Sequence, residues 1–244
     1  MVSDDRAGMA YPILAIMALA KSFGIVRALC SVDLDLWSGE TVGVVGPRAS
    51  GKSTLLLCAA GILKPSFGSV AVLGRRITPG GDSPEVVYVP PKPIYYPFLT
   101  VRDALSCYCA KATRETHSLS RCIESSIDRM LLTDRVEQRV GSLDSGRVLC
   151  VALAQAIVAR PRVLLLDAPL DLMDRPNLQI ARAAIILAAE AVAAVIITTR
   201  DAARLNGLSS RNVFLHEGRL SHPDPNADSL PLERIATRVA ERQH

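Results

Sequence analysis

The chain has 244 residues, 49% of them hydrophobic, which is enough for one large domain with a sizeable core or for a core with an inserted subdomain. The formal net charge of +4 is spread along the sequence without a basic run and interleaved aromatic residues, so nucleic acid is not an expected partner. The 6 cysteines include no paired C-x-x-C motif, which favours a reduced cytosolic protein over a disulfide framework.

Short apolar segments separated by turns predict strands in the first part of the chain. The segments 13–21 and 29–36 each have the composition of a strand, and 40–45 is expected to be a short buried strand. Two further strands are predicted at 70–73 and 86–89.

A phosphate-binding loop is the most specific motif in the sequence. Residues 46–54 read GPRASGKST and fit the pattern G-x-x-x-x-G-K-S/T, between the strand at 40–45 and an apolar helix start at 55–60. The glycines let successive backbone N–H groups point at phosphate oxygens, and the helix N-terminus adds a favourable dipole. Lys52 is predicted to reach the β- and γ-phosphates, and the Ser53 hydroxyl to bind Mg²⁺. The loop residues predicted to bind the nucleoside triphosphate are Gly46, Pro47, Arg48, Ala49, Ser50, Gly51, Lys52, Ser53 and Thr54.

The character of the sequence changes after the strand at 86–89. Four prolines lie within 90–97, where the chain must be extended or turned. From 101 to about 139 the pattern is helical and more polar, which predicts an inserted helical subdomain at about 93–147. The apolar pattern then resumes, and three more strands are predicted at 162–166, 195–199 and 213–215.

Strands that alternate with helices predict an α/β fold with a mostly parallel sheet and helices on both faces. We expect the core to comprise 11–92 and 148–221, with the helical subdomain inserted between these two segments. Residues 222–244 are expected to form a linker and a short amphipathic helix at 231–242.

The order of these segments resembles the ATP-binding subunits of ABC transporters over about 13–220. The segment 163–167, VLLLD, resembles the family's Walker B strand, and Asp174 falls at its D-loop. The segment 197–201 falls at the switch-histidine segment. The positions that match the family's L-S-G-G-Q signature loop are Leu143, Asp144, Ser145, Gly146 and Arg147.

The resemblance implies a P-loop NTPase fold of the ABC type, with ATP and Mg²⁺ as cofactors. Ser53 and Asp167 would bind the Mg²⁺, and Phe23 falls where the family places an aromatic residue against adenine, although Phe23 could also belong to the core. Arg48 could reach a phosphate or a partner, or lie on the solvated surface. The aromatic segment 95–98 could contact a membrane subunit or pack in the core.

The resemblance also implies transmembrane permease subunits as partners, and hence a peripheral position on the cytoplasmic face of the cell membrane. The chain itself predicts no membrane span, because the longest apolar stretch, 183–199, contains Glu190 and is too short. Its first six residues are acidic where a signal peptide has a basic start.

The sequence departs from the family's pattern at four places in its hydrolytic machinery, and in the signature loop the first glycine is also replaced, by Ser145. Ala168 stands where the family has a glutamate that polarises the attacking water, and it has no titratable group. Pro91 replaces the Q-loop glutamine, and Arg200 replaces the switch histidine. Asp144 replaces the signature serine, so a carboxylate would face the partner's γ-phosphate.

We therefore expect a subunit that binds Mg-ATP but hydrolyses it weakly or not at all when alone. It would pair with a second, catalytically competent ABC ATP-binding subunit in an asymmetric dimer beneath the permease. One alternative is an active ABC ATPase that uses non-standard catalytic residues, such as Asp171 or a residue of its partner. Another is a soluble regulator with the same fold and no transporter.

Overall fold

The computed structural model describes residues 11–80, 84–112, 116–171 and 173–221, in which ten strands form two β-sheets. In chain order the strands are β1 (Leu14–Phe23), β2 (Val26–Leu36), β3 (Glu40–Val45), β4 (Phe67–Val72), β5 (Arg75–Arg76), β6 (Val86–Val89), β7 (Val163–Leu166), β8 (Ala194–Thr199), β9 (Arg211–His216) and β10 (Arg219–Ser221). The α-helices of the described residues are α1 (Lys52–Ala59), α2 (Val101–Ala112), α3 (Thr116–Arg129), α4 (Ser145–Val158) and α5 (Arg175–Ala189).

The larger sheet is mostly parallel and has the strand order β10-β9-β3-β8-β7-β6. The strands β3, β6, β7, β8 and β9 run parallel, and only β10 pairs antiparallel, with β9. Every residue of β7 and β8 is buried, as expected for central strands of a parallel sheet that is covered on both faces.

Alternate residues of the central strands point into two separate cores. Leu164 and Leu166 of β7 belong to the core that helices α2 to α5 form on one face of the sheet. Val163 and Leu165 belong to the other core, which α1 forms together with the inner faces of β1, β2 and β4. The predicted α/β fold with helices on both faces is therefore confirmed.

A second, antiparallel sheet with the order β2-β1-β4-β5 covers α1. The sequence pattern does not predict this separate sheet, because the apolar residues of a strand do not reveal which strand it pairs with. The strands β5 and β10 lie outside the predicted segments, since two or three residues are too few to show an alternating pattern. The other predicted strands are present, with ends that differ by a few residues.

The helices α2 and α3 lie within the predicted helical subdomain, together with two short 3₁₀ turns at Thr133–Arg135 and Val140–Ser142. Helix α4 begins at Ser145, so it crosses the predicted boundary at 147 and continues into the core. The division into core and subdomain stays a prediction, and the predicted helix at 231–242 lies outside the described residues. No helix within the described ranges is long and apolar enough to cross a membrane.

Candidate nucleotide-binding site

Four segments meet at the carboxyl edge of the parallel sheet. The loop at 46–54 follows β3, Pro91 comes just after β6, Asp167 follows β7 and Arg200 follows β8. Because the carboxyl ends of parallel strands share one edge of the sheet, these segments surround a common cleft of about 480 Å³. The described residues that line this cleft are Ala28, Arg48, Ala49, Ser50, Gly51, Lys52, Ser53, Thr54, Pro91, Asp167, Ala168, Asp171 and Arg200.

Two glycines of the loop have no room for a side chain. A Cβ atom on Gly46 would lie 2.1 Å from the carbonyl oxygen of Leu215, and one on Gly51 would lie 2.4 Å from the carbonyl oxygen of Ala28. Gly51 also has a φ of +106°, a left-handed conformation that favours glycine. The two glycines therefore permit the tight wrapping that lets backbone N–H groups face a phosphate.

The Lys52 ammonium lies inside the loop. It donates hydrogen bonds to the carbonyl oxygens of Gly46 at 2.7 Å and Pro47 at 2.6 Å. Burial lowers the pKa of Lys52, although the charges of Asp171 and Asp167 partly oppose this shift. The loop thus holds a positive charge next to two carboxylates of the same cleft.

Two hydroxyl groups fix the orientation of Asp167, which is buried. Its carboxylate accepts a hydrogen bond from the Tyr88 hydroxyl at 3.0 Å and another from the Thr198 hydroxyl at 2.9 Å. Burial and the neighbouring Asp167 carboxylate raise the pKa of Tyr88, so the phenol stays protonated and remains a donor.

Ala168 lies beside this carboxylate in a left-handed conformation, with a φ of 45°. Its N–H donates to the Thr198 hydroxyl oxygen at 2.8 Å, so Thr198 holds both Asp167 and the residue after it. The Ala168 side chain lines the cleft but has no atom that can accept a proton from water.

The cleft contains a second carboxylate, that of Asp171, which is paired with Arg200. The Arg200 Nε lies 2.8 Å from Asp171 Oδ2, and the Arg200 backbone N–H lies 3.3 Å from both carboxylate oxygens. The Thr199 hydroxyl donates to Asp171 Oδ1 at 2.6 Å. These contacts come from three donors, which occupy about three of the roughly four acceptor sites of a carboxylate.

The signature-loop positions lie outside the described lining of the cleft. Asp144 is the N-cap residue of α4, and its carboxylate accepts a hydrogen bond from the Arg147 N–H at 2.8 Å. Gly146 allows α4 to approach α5, because a Cβ there would lie 2.8 Å from the Asn177 side-chain oxygen. Leu143 packs against the helical core, and Ser145 is exposed at the start of α4.

Three other predicted binding residues lie outside the lining of the cleft. Gly46 and Pro47 contribute carbonyl oxygens that hold Lys52. Phe23 is 50% exposed at the end of β1, and the Lys21 ammonium lies 5.0 Å from the centre of its ring. Adenine stacking on Phe23 therefore stays a prediction.

Comparison with known proteins agrees with this geometry. The sequence model of a family described as ABC transporter matches residues 29–171, which is more than half of the chain. The chain belongs to the ABC transporter family. It is an ATP-binding domain of that family, as the sequence motifs predict.

This ABC domain aligns over more than two thirds of the length of two relatives. It is 31% identical to a thiamine import ATP-binding protein, ThiQ of Cereibacter sphaeroides, over 80% of this chain and 85% of the relative. It is 30% identical to an uncharacterized ABC transporter ATP-binding protein, YdbJ of Bacillus subtilis, over 87% of this chain and 69% of the relative. The solved structure of an ATP-binding subunit of an ABC transporter matches with a TM-score of 0.76 at 19% identity, over 93% of this chain and 99% of that chain.

The sequence motifs give no role to Tyr88 or Thr198, the two residues that position Asp167. They lie 79 and 31 residues from Asp167, and only the register of β6, β7 and β8 brings them together. The sequence suggests Asp171 only as a catalytic residue of an active ATPase. Its pairing with Arg200 is seen in the structure.

Proposed function

We propose that this chain is a non-catalytic ATP-binding subunit of an ABC transporter. It binds Mg-ATP and forms one half of an asymmetric dimer whose other subunit hydrolyses ATP. The observation that carries this proposal is the contrast between the two sides of the cleft. The loop side contains Lys52 and Ser53. The positions that would handle the attacking water carry Pro91, Ala168 and Arg200.

The residues of the loop side fit Mg-ATP. The crowded glycine positions keep the loop backbone close to any bound phosphate, and the Lys52 ammonium adds positive charge. Within the described residues no group of three or more His, Cys, Asp or Glu side chains could hold a metal ion, so Mg²⁺ would be held by Ser53, Asp167 and the phosphate oxygens. When bound, Mg²⁺ neutralises charge on the β- and γ-phosphates.

Among the described residues, the opposite side of the cleft offers no unpaired carboxylate that could take a proton from water. Ala168 has none, and the Asp171 carboxylate already accepts hydrogen bonds from Arg200 and Thr199. A water molecule at Asp171 would have to share the carboxylate with these donors. Arg200 is a permanent cation, so it can attract the γ-phosphate but cannot act as a neutral relay.

The signature loop supports a heterodimer. The Asp144 carboxylate already caps the N-terminus of α4, where the family's loop meets the γ-phosphate of the partner. In a homodimer, Asp144 would oppose a phosphate at both sites, and like charges in a partly desolvated interface repel each other. With a competent partner, the ATP bound by this chain would meet the partner's normal signature loop. Native mass spectrometry of the membrane complex should find two different ATP-binding chains, whereas a complex with two copies of this chain alone would contradict the proposal.

An exposed apolar patch at the start of the helical region supports docking to a permease. Ile94 is 91% exposed, Tyr96 is 70% exposed and Phe98 is 65% exposed, and the Tyr96 and Phe98 rings stack with their centres 5.6 Å apart. Tyr95 instead points inward and donates to Gln155 at 2.9 Å. Binding to a permease through this patch would place the chain on the cytoplasmic face of the membrane, and the thiamine-import relative supports an import system.

Steady-state hydrolysis and nucleotide binding, measured on the same preparation, test the proposal. The chain should bind Mg-ATP and lose this binding in Lys52→Ala. Its turnover should lie about 10² to 10⁴-fold below that of a competent subunit, which is the usual effect of losing a general base. Ordinary turnover that Lys52→Ala abolishes would contradict the proposal.

The presence of Asp171 in the cleft favours one second candidate, an active ABC ATPase that uses Asp171 as its base. This candidate predicts measurable turnover that falls by at least about 10²-fold in Asp171→Asn. The non-catalytic subunit predicts a background rate that Asp171→Asn leaves unchanged. A permease that co-purifies with the chain would support either transporter subunit, catalytic or non-catalytic, over a soluble regulator.

A further inference from the structure

A second open cavity, with a volume of about 750 Å³, lies apart from the ATP cleft. Helix α3 forms one wall with Arg121, Ser125 and Arg129, and the end of α4 forms the other with Ile157 and Arg160. The cavity shares none of its described lining residues with the ATP cleft. It is large enough for a small organic molecule, because typical sites for such ligands measure about 300–1,000 Å³.

The three arginines of this cavity are not neutralised by described residues. Other arginines, such as Arg102 and Arg211, form ion pairs with acidic side chains, whereas none of the described ion pairs involves Arg121, Arg129 or Arg160. No acidic side chain is among the described residues that line the cavity.

The hydrogen bonds of these arginines leave most of their donors available. Arg129 makes one bond of 3.3 Å to the carbonyl oxygen of Leu187, and Arg160 contacts the Cys122 sulfur at 3.7 Å. The structure gives no hydrogen bond for the Arg121 side chain within the described residues. Each guanidinium group has five N–H donors, so the described residues leave many of them available for an anion.

The ends of helices near the cavity do not cancel this positive charge. Arg129 is the last residue of α3, and Arg160 lies just after α4, so each lies at a helix C-terminus. A helix C-terminus is equivalent to about half a negative charge. Ala191 marks the end of α5, a third such terminus. Three helix C-termini together offset about 1.5 positive charges, so about 1.5 of the three arginine charges would remain.

We propose that this cavity binds a small molecule that carries two or more phosphate groups. Guanidinium groups match phosphate oxygens with paired hydrogen bonds, and three of them suit a multiply charged anion. The exposed Ser125 hydroxyl can add a donor, whereas the buried Ser126 hydroxyl already donates to the Ile123 carbonyl oxygen at 2.8 Å. Ile157 offers an apolar surface to the remainder of the ligand. The proposal is independent of whether the chain hydrolyses ATP.

Isothermal titration calorimetry with inorganic pyrophosphate tests this site. The titration uses full-length protein that carries Lys52→Ala, so that the main phosphate ligand of the ATP cleft is removed. Pyrophosphate should bind, and it should bind more tightly than orthophosphate. Arg121→Gln and Arg160→Gln should each weaken the binding by about tenfold or more, which corresponds to the loss of a charge-assisted hydrogen bond.

Arg139→Gln is the matched control, because Arg139 is exposed, lies in the same helical region and does not line the cavity. It should change pyrophosphate affinity by less than about twofold, since a distant exposed charge is screened by salt. Thermal unfolding of each variant checks that it is folded, and Arg121 has no described hydrogen bond to lose. Absence of pyrophosphate binding, binding that survives either cavity substitution unchanged, or equal weakening by Arg139→Gln would overturn the proposal.

Discussion

The guanidinium group of Arg200 lies 2.8 Å from the carboxylate of Asp171, at the edge of the cleft that contains the phosphate-binding loop. The Asp171 side chain is 6% exposed and the Arg200 side chain 45% exposed, so the carboxylate lies inside the cleft and the guanidinium reaches toward solvent. Both charges act on Lys52, whose pKa is lowered first by burial. The pair therefore contributes to the electrostatic field that a γ-phosphate would meet.

Asp171→Asn should tighten the binding of ATP by a few-fold, because it removes a negative charge and frees Arg200 for the phosphate. It should also lower the free energy of unfolding by about 1–3 kcal/mol, since a buried acceptor of charged hydrogen bonds is lost. Titration calorimetry and chemical denaturation measure these two effects. Asp128→Asn, an exposed substitution outside the cleft, should change ATP affinity by less than about twofold. Weaker ATP binding in Asp171→Asn would show that the pair helps to hold the nucleotide.

Ala168→Glu alone should leave hydrolysis near background. The new carboxylate would lie beside Asp167, but Pro91 still offers no amide and Arg200 would compete to pair with the new charge. Catalytic groups that act as a unit are strongly non-additive, so one repair should recover little. The triple variant Ala168→Glu, Pro91→Gln, Arg200→His should gain activity when a partner supplies a normal signature loop. Single-turnover phosphate release compares the variants, and full family-like turnover in Ala168→Glu would contradict this account.

Asp144 has a structural role as well as an electrostatic one, and two substitutions separate them. Asp144→Ala removes the N-cap of α4 and should lower the free energy of unfolding by about 0.5–2 kcal/mol. Asp144→Ser keeps a capping oxygen without the charge, so its stability should stay close to that of the wild type. In a complex with a competent partner, Asp144→Ser should raise ATP hydrolysis at the partner's site. An equal loss of stability in both variants would mean that the charge, and not the cap, stabilises α4.

A pH dependence of stability is expected from Glu40, which pairs with Arg211 at the start of β3. Burial alone would raise the pKa of Glu40, but the hydrogen bonds from Arg211 and the Trp37 N–H, with the Arg211 charge, lower it overall. A carboxylate whose pKa is lowered by folding stabilises the protein above its unfolded value of 4.5, and this contribution is lost as pH falls through the lower folded value.

Glu40→Gln should therefore reduce the free energy of unfolding by about 1–3 kcal/mol at pH 7, and the difference from wild type should shrink below about pH 4. Urea denaturation at several pH values measures this difference. The exposed Glu190→Gln serves as the control and should change stability by less than about 0.5 kcal/mol throughout. A constant difference between Glu40→Gln and wild type from pH 7 to pH 3 would contradict the assignment.

The sequence predicts those parts of the site that are contiguous in the chain. The sequence of the loop at 46–54 is enough to predict its geometry, because two glycines and a lysine at fixed spacing specify the turn and a phosphate ligand. The sequence places Asp167, Ala168 and Arg200 at the carboxyl edge of the sheet, because each follows a predicted buried strand. Asp167, Ala168 and Arg200 all line the cleft.

Contacts between distant segments could not be predicted in the same way. The bond from Tyr88 to Asp167 depends on the register of β6 against β7, and a shift of one residue would turn Tyr88 to the other face. The pairing of Asp171 with Arg200 depends on the path of the chain after β7. The antiparallel sheet, and with it the exposed position of Phe23, depends on strand partners that apolar periodicity does not specify.

The identity of the nucleotide that stays bound after incubation tests the central claim most directly. The full chain is incubated with Mg-ATP for many turnovers of a competent subunit, free nucleotide is removed, and the bound nucleotide is released by denaturation and separated by chromatography. If the chain binds ATP without hydrolysing it, as we propose, we expect bound ATP, in about one copy per chain and absent from Lys52→Ala. Bound ADP in place of ATP, with one phosphate released for each ADP, would contradict the account.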